Sequence, residues 1–132
     1  MARPNQARLN LAALRNNVRV ARELAPNSRL MAVVKANAYG HGAVLIATAL
    51  EPLVDALAVA CIEEAVELRE GGVTAPILLL EGVFEASELD VAAELGFWVT
   101  VDTLNQLHWL ETANLATALQ VAGDAQPVCP SV

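Results

Sequence analysis

A lysine closes an apolar run in this chain, where Leu30-Met31-Ala32-Val33-Val34 leads directly into Lys35. A run this short, with no polar alternation, reads as a strand buried on both faces, as in parallel sheets. Side chains alternate along a strand, so Met31, Val33 and Lys35 share one face and Leu30, Ala32 and Val34 the other. Lys35 therefore points with apolar residues at the C-terminal edge of a sheet, where α/β proteins bind their ligands. An ordinary lysine amine, with a pKa of about 10.4, is protonated at neutral pH and is then a poor nucleophile. Partial desolvation favours the neutral amine, which attacks aldehydes. The competing reading is a lysine that snorkels its ammonium to the rim or pairs with a nearby carboxylate.

The residues that follow suit such chemistry. Tyr39 lies in the turn-rich segment Ala36-Asn37-Ala38-Tyr39-Gly40-His41-Gly42. Its hydroxyl is within reach of a phosphate there, and Gly40 and Gly42 let backbone donors approach a ligand closely. An ordinary half-buried tyrosine and a tight strand-to-helix connection are the bland alternatives, and they stand at equal weight. His41 reads as a turn histidine bonded to backbone, and His108, beside Trp109, as surface or packing. Glu63, Glu64, Glu67 and Glu70 read as a solvated helix face, and Trp98 as core.

The elements that must position Lys35 recur in a regular order. Leu11, Leu14, Val18, Ala21 and Leu24 mark a helix over 11–24, capped by Asn10 and followed by Pro26. A helix is expected from Ala43 to about Leu50, after the Lys35 turn. Ala56 to Ala60 is strand-like, and Glu63 to Glu70 is helical, with Gly71-Gly72 as its C-cap. Ile77 to Leu80 is a third strand, Ser87 to Leu95 a helix stopped by Gly96, and Phe97 to Val101 a fourth strand. Asp102 is read as the N-cap of a last helix from Thr103 to about Asn114. Four alternations of strand and helix mean a parallel sheet with helical crossovers, either doubly wound or part of a (β/α)₈ barrel.

Composition narrows the function classes. Of 132 residues, 55% are hydrophobic and 17% charged, so core material is ample for one folded domain. The net charge of −7 argues against a nucleic-acid or anionic-membrane binder, since both need a basic face. Two distant cysteines, Cys61 and Cys129, make neither a disulfide framework nor a zinc pattern, and Cys61 reads as a small buried hydrophobe. No metal site is expected. Glu51, Pro52 and Asp55 interrupt the most apolar stretch, from Gly42 to Ile62, which rules against a membrane span. With no signal-peptide pattern at the N-terminus, the cytoplasm is the expected location.

Taken together, Ala32-Val33-Val34-Lys35-Ala36-Asn37-Ala38-Tyr39-Gly40-His41-Gly42 resembles, without a gap, the cofactor-attachment signature of the alanine racemases. Ala58 to Arg69 is similar to the second strand and helix of that family, and Ile77 to Gly82 to its third strand. The resemblance covers about residues 7 to 121. It implies the first four βα units of an N-terminal (β/α)₈ barrel, which in the family is followed by a β-rich domain and works as a homodimer. It implies pyridoxal 5′-phosphate (PLP) as cofactor, held as an imine by Lys35, with Tyr39 hydrogen-bonding its phosphate. It implies alanine as substrate, and Lys35 as one of two acid/base groups acting on opposite faces of a planar carbanion. The second such group in the family is a tyrosine of the other subunit, and the sole tyrosine of this chain is Tyr39.

The rhythm fails at the end. Residues 1–121 read as the barrel portion and 122–132, with Pro127 and Pro130, as an irregular tail that departs from the family pattern and suggests truncation. A full barrel takes about 250 residues, so this chain is expected to be inactive alone. Two other readings compete with the racemase piece, namely a non-catalytic PLP-binding barrel protein and an inert remnant.

Overall fold

The computed structural model describes residues 4–113. The elements are α1 (Leu11–Leu24), β1 (Met31–Val33), α2 (Lys35–Gly40), α3 (Ala43–Leu50), a 3₁₀ turn (Glu51–Leu53), β2 (Ala56–Val59), α4 (Ile62–Glu70), β3 (Ile77–Leu79), α5 (Glu88–Glu94), β4 (Phe97–Val99) and α6 (Leu104–Thr112). All strand pairs are parallel, in the order β1-β2-β3-β4. Each strand thus lies beside its successor, connected through a helix. The result is a partial α/β barrel of four units.

Register and burial separate the two faces of the sheet. Ala32, Leu57, Ile77 and Phe97 stand in one row across the strands, and Val33, Ala58, Leu78 and Trp98 in the next. Neighbours along a strand point to opposite sides. The first row joins the helices in one core, where Leu57 and Ile77 meet Ile46, Ala47, Ala65, Leu68, Leu89 and Ala92. The second row is more open: Ala58 is buried, Leu78 and Trp98 are half-buried, and Val33 is 40% exposed. Burial of β1 on both faces, expected from its composition, is therefore not what the fold shows. Met31 and Ala32 are half-buried, because β1 is an edge strand with β2 on one side only. Burial on both faces is found instead in β2, an inner strand, all of whose residues are buried.

The helix caps follow their chemistry. Asn10 Oδ1 accepts the Ala13 N–H at 3.0 Å, the expected N-cap of α1. Leu11, Leu14 and Val18 pack against the core, whereas Leu24, assigned to the same stripe, is 82% exposed. Thr103, and not Asp102, caps α6. Its hydroxyl accepts the Gln106 N–H at 3.1 Å, and Gln106 Oε1 accepts the Thr103 N–H at 3.2 Å. This reciprocal capping box satisfies two helix-end donors, and its signal was a threonine with a glutamine following at helical spacing. Cys61 is half-buried at the N-cap of α4, and burial raises its thiol pKa.

Side chains fasten both edges of the sheet to neighbouring backbone. At the N-terminal edge, Asp55 accepts the Leu30 N–H at 2.7 Å and pairs with Arg22 at 3.2 Å. Glu51 Oε1 accepts the N–H groups of Thr74 and Ala75, both at 2.6 Å. Arg69 donates to the carbonyls of Val73, Ala75 and Leu95 and stacks 5.3 Å from the Phe97 ring centroid. At the opposite edge Gln106, buried, donates to Glu81 O and Val83 O and accepts the Asp102 N–H, so the loops after β3 and β4 are joined. Among the described residues, no helix is long and apolar enough to cross a membrane. The 122–132 tail lies outside the described residues.

Candidate cofactor site at the sheet rim

Lys35 follows β1 after one residue, Val34, and begins α2 at the C-terminal edge of the sheet. Val34 before it is buried to 2% exposure, while Val33 is 40% exposed and Lys35 half-buried. The strand ends at Val33, and Val34 has left extended geometry with ψ of 23°, so the alternation read from the sequence stops one residue short of Lys35. Among the described residues the ion pairs are Arg19–Glu23 and Arg22–Asp55, so no carboxylate holds the Lys35 ammonium. Lys35 is also the single lysine of the sequence.

The segment after Lys35, expected as a turn, is a left-handed one. Ala36, Asn37, Ala38 and Tyr39 all have φ between 52° and 54°, a region where a side chain crowds its own carbonyl. Each such residue costs about 1–2 kcal/mol, so a run of them persists only where the surroundings impose it. Here the constraint is a set of hydrogen bonds. Ala38 N–H donates to Val34 O at 2.9 Å, His41 N–H to Ala38 O at 3.1 Å, and Gly42 N–H to Asn37 O at 3.0 Å. His41 Nδ1 donates to the same Ala38 carbonyl at 2.9 Å, which gives this histidine the backbone-bonding role expected of it. Asn37 Oδ1 accepts the Ala43 N–H at 2.8 Å and so caps α3 from six residues upstream. Asparagine tolerates this backbone region better than most residues, which suits it to position 37.

The turn buries Ala38 and turns Tyr39 outward, 60% exposed. Gly40 and Gly42 continue with φ of 86° and 93°, and a Cβ on Gly40 would meet no atom within 4 Å. The half-buried Lys35, the exposed Tyr39 and the two glycines thus lie along one short segment after β1. Tyr39 and His41 also line a cavity of about 390 Å³, together with Val33 and Val34 before Lys35 and Leu11 and Leu14 of α1.

One residue of this site was misread in the sequence. Glu64, taken for part of a solvated helix face, is half-buried and turned into the sheet edge. Its Oε1 accepts the Ala36 N–H at 2.7 Å and its Oε2 the Ala60 N–H at 2.8 Å. One carboxylate thus bridges the residue after Lys35 and the residue after β2. Its neighbours Glu63, Glu67 and Glu70 are exposed as expected. A weak signal existed: Glu64 stands in the first turn of α4, where a carboxylate can reach free N–H groups. His108 is exposed, as read, and Trp98 is half-buried on β4. Among the described residues, no group of three or more His, Cys, Asp or Glu is placed to hold a metal ion.

Comparison with known proteins gives a family. The family model described as "Alanine racemase, N-terminal domain" matches residues 9–124. The alanine racemase of Pseudomonas taetrolens is 55% identical over 119 residues, which are 90% of this chain and 33% of that protein. That of Xanthomonas campestris is 60% identical over 108 residues, 82% of this chain and 30% of the relative. Among solved structures, the alanine racemase of Acinetobacter baumannii superposes with a TM-score of 0.80 at 39% identity, covering 85% of this chain and 33% of that one. The biosynthetic alanine racemase of Pseudomonas aeruginosa gives a TM-score of 0.75 at 46% identity, covering 79% of this chain and 29% of that one. The chain spans about a third of the length of the curated relatives it matches. By sequence and by parallel βα architecture, it belongs to the alanine racemase family, of which it carries the N-terminal domain segment.

Proposed function

We propose that this chain supplies the cofactor lysine and a phosphate contact of a PLP-dependent alanine racemase. The observation that carries the proposal is Lys35, half-buried and without an ion-pair partner among the described residues, at the C-terminal edge of a parallel sheet and next to a turn that runs into two glycines. The residues present fit a phosphorylated aldehyde. An amine that is not tied up by a carboxylate can add to an aldehyde carbon, with the oxygen leaving as water. A phenol donor and glycine backbone free of Cβ atoms suit a phosphate.

When bound, PLP supplies an electron sink that makes the α-hydrogen of an amino acid acidic. The other roles belong to the protein. Lys35 Nζ would hold the cofactor and, as an amine, would serve to take or return a proton at the substrate α-carbon. The hydrogen-bonded turn after Lys35 would help to position that nitrogen, and positioning of this kind is worth orders of magnitude in rate. Tyr39 Oη would donate to the phosphate. Alanine as substrate, a homodimeric assembly and a cytoplasmic setting belong to the same proposal and rest on the family.

Adding PLP to the 132-residue chain tests this reading. Wild-type protein is expected to develop an absorbance band that K35A lacks. Y39F is expected to weaken the apparent affinity for PLP and leave that for pyridoxal, which has no phosphate, unchanged. Equal bands in wild type and K35A would overturn the assignment of Lys35.

A further inference from the structure

We propose that Glu64 is the positioning residue of the cofactor lysine. This inference rests on the reading of Lys35 given above. The Ala36 N–H belongs to the peptide that joins Lys35 to the left-handed turn, and Glu64 Oε1 accepts it at 2.7 Å. Glu64 Oε2 holds Ala60, after β2, at 2.8 Å. Since β1 and β2 are neighbours in register from Met31↔Ala56 to Val33↔Ala58, the carboxylate is a strap across two adjacent strand ends. Ala36 is also the first of the four left-handed residues, so the strap acts where the chain leaves the strand. Freed of it, the peptide could relax toward ordinary geometry and carry the Lys35 side chain with it.

The strap has a second consequence. Glu64 is the carboxylate bound to the backbone beside Lys35, yet it makes no ion pair with the lysine. Both oxygens are engaged by backbone amides, so the carboxylate is held by the two strand ends. A glutamine in its place retains one acceptor oxygen but turns an NH₂ group toward the other N–H, so one of the two bonds is lost. An aspartate keeps the charge but is one methylene too short to span both amides.

The test compares wild type, E64Q, E64D and the control E51Q. Glu51 makes an equivalent carboxylate-to-amide contact, with Thr74 and Ala75, at the opposite edge of the sheet. Each protein is incubated with PLP and reduced with borohydride, and the ratio of label on Lys35 to label on the Met1 α-amine is read by peptide mapping. That ratio is internal to each molecule and is compared at equal folded fraction. Misplacement of a reacting group by about 1 Å can cost on the order of a hundredfold, so a fall of at least about tenfold is expected in E64Q and E64D, and none in E51Q. Amide exchange without cofactor is expected to show faster exchange at Ala36 and Ala60 in both Glu64 variants alone. A folded Glu64 variant that keeps the wild-type ratio would overturn the positioning role and leave Lys35 in place. Should E64Q not fold, E64D decides by the same ratio. Wild type labelled only at Met1 would instead remove Lys35 as the cofactor lysine, and the positioning role with it.

Discussion

Asn37 Oδ1 lies 2.8 Å from the Ala43 nitrogen, so the start of α3 is capped by a residue inside the left-handed turn. Turn and helix are therefore one mechanical unit, and Asn37 serves both by accepting the N–H and by tolerating φ of 54°. N37G keeps the backbone freedom and loses the cap, whereas N37A loses both. N37A is expected to destabilise the fold by about 2 kcal/mol and N37G by about half as much, since a lost cap costs about 1 kcal/mol and a left-handed alanine about 1–2. Urea unfolding of the two variants checks the order. A greater loss in N37G would contradict this account of the turn.

Gly82, in the loop after β3, has φ of 72°, and a Cβ there would sit 2.2 Å from Thr100 O and 2.7 Å from Gln106 Nε2. The first contact is with backbone and cannot be relieved by a rotamer change. G82A is expected to cost more than about 2 kcal/mol, as strain in the left-handed region and overpacking add. Its thermal midpoint should fall accordingly, and an unchanged midpoint would show that this loop is not fixed by Gln106.

Arg69 uses a planar fork to serve three carbonyls at once, and its partial burial lowers the guanidinium pKa. Lysine carries the charge without the fork. R69K is expected to lose about 1–3 kcal/mol, the worth of one or two charge-assisted hydrogen bonds. Equal stability of R69K and wild type in urea would mean that charge alone holds these loops.

Acid should loosen the N-terminal edge of the sheet first. The Leu30 N–H is the main influence holding the Asp55 carboxyl below its ordinary range, against a smaller opposing effect of burial, with help from Arg22 and Arg29. For Glu51, burial is the largest single influence and opposes ionisation. The bonds from Thr74 and Ala75 with the Arg69 charge together outweigh it and leave the pKa lowered. Groups whose folded pKa is depressed add stability that is complete above their unfolded values, about 3.9 for Asp and 4.3 for Glu, and is lost as pH falls through the folded ones. Stability is expected to decline below about pH 4 with a shallower slope in D55N and E51Q than in wild type. Identical slopes in unfolding curves recorded down that range would refute the assignment.

Much of the fold could be read from the chain because periodicity and punctuation agree. The apolar spacing of α1, the Gly71-Gly72 stop and the run Ile77 to Leu79 each match one element. What escaped was long-range. Asp102 looks like a good cap, but Thr103 wins because Gln106 completes the reciprocal pair. Met31 to Val33 reads as fully buried, but an edge position leaves one side open. At the site, Lys35 and Tyr39 could be singled out by type and spacing. The left-handed backbone between them could not, because the glycines that advertise such geometry come only after it. Glu64 escaped for a related reason. Nothing in Glu63-Glu64 tells which carboxylate turns inward until the neighbouring strand end brings the Ala36 amide to it.

The account stands on the amine of Lys35 being the group that takes the aldehyde. Because this is the single lysine, the Met1 α-amine is the main competitor, and one tryptic map after PLP treatment and borohydride reduction separates them. The expected result is a phosphopyridoxyl mass on the peptide containing Lys35, formed at substoichiometric PLP and suppressed when the chain is unfolded in urea. Label confined to the N-terminal peptide, or equal labelling of folded and unfolded chain, would contradict it.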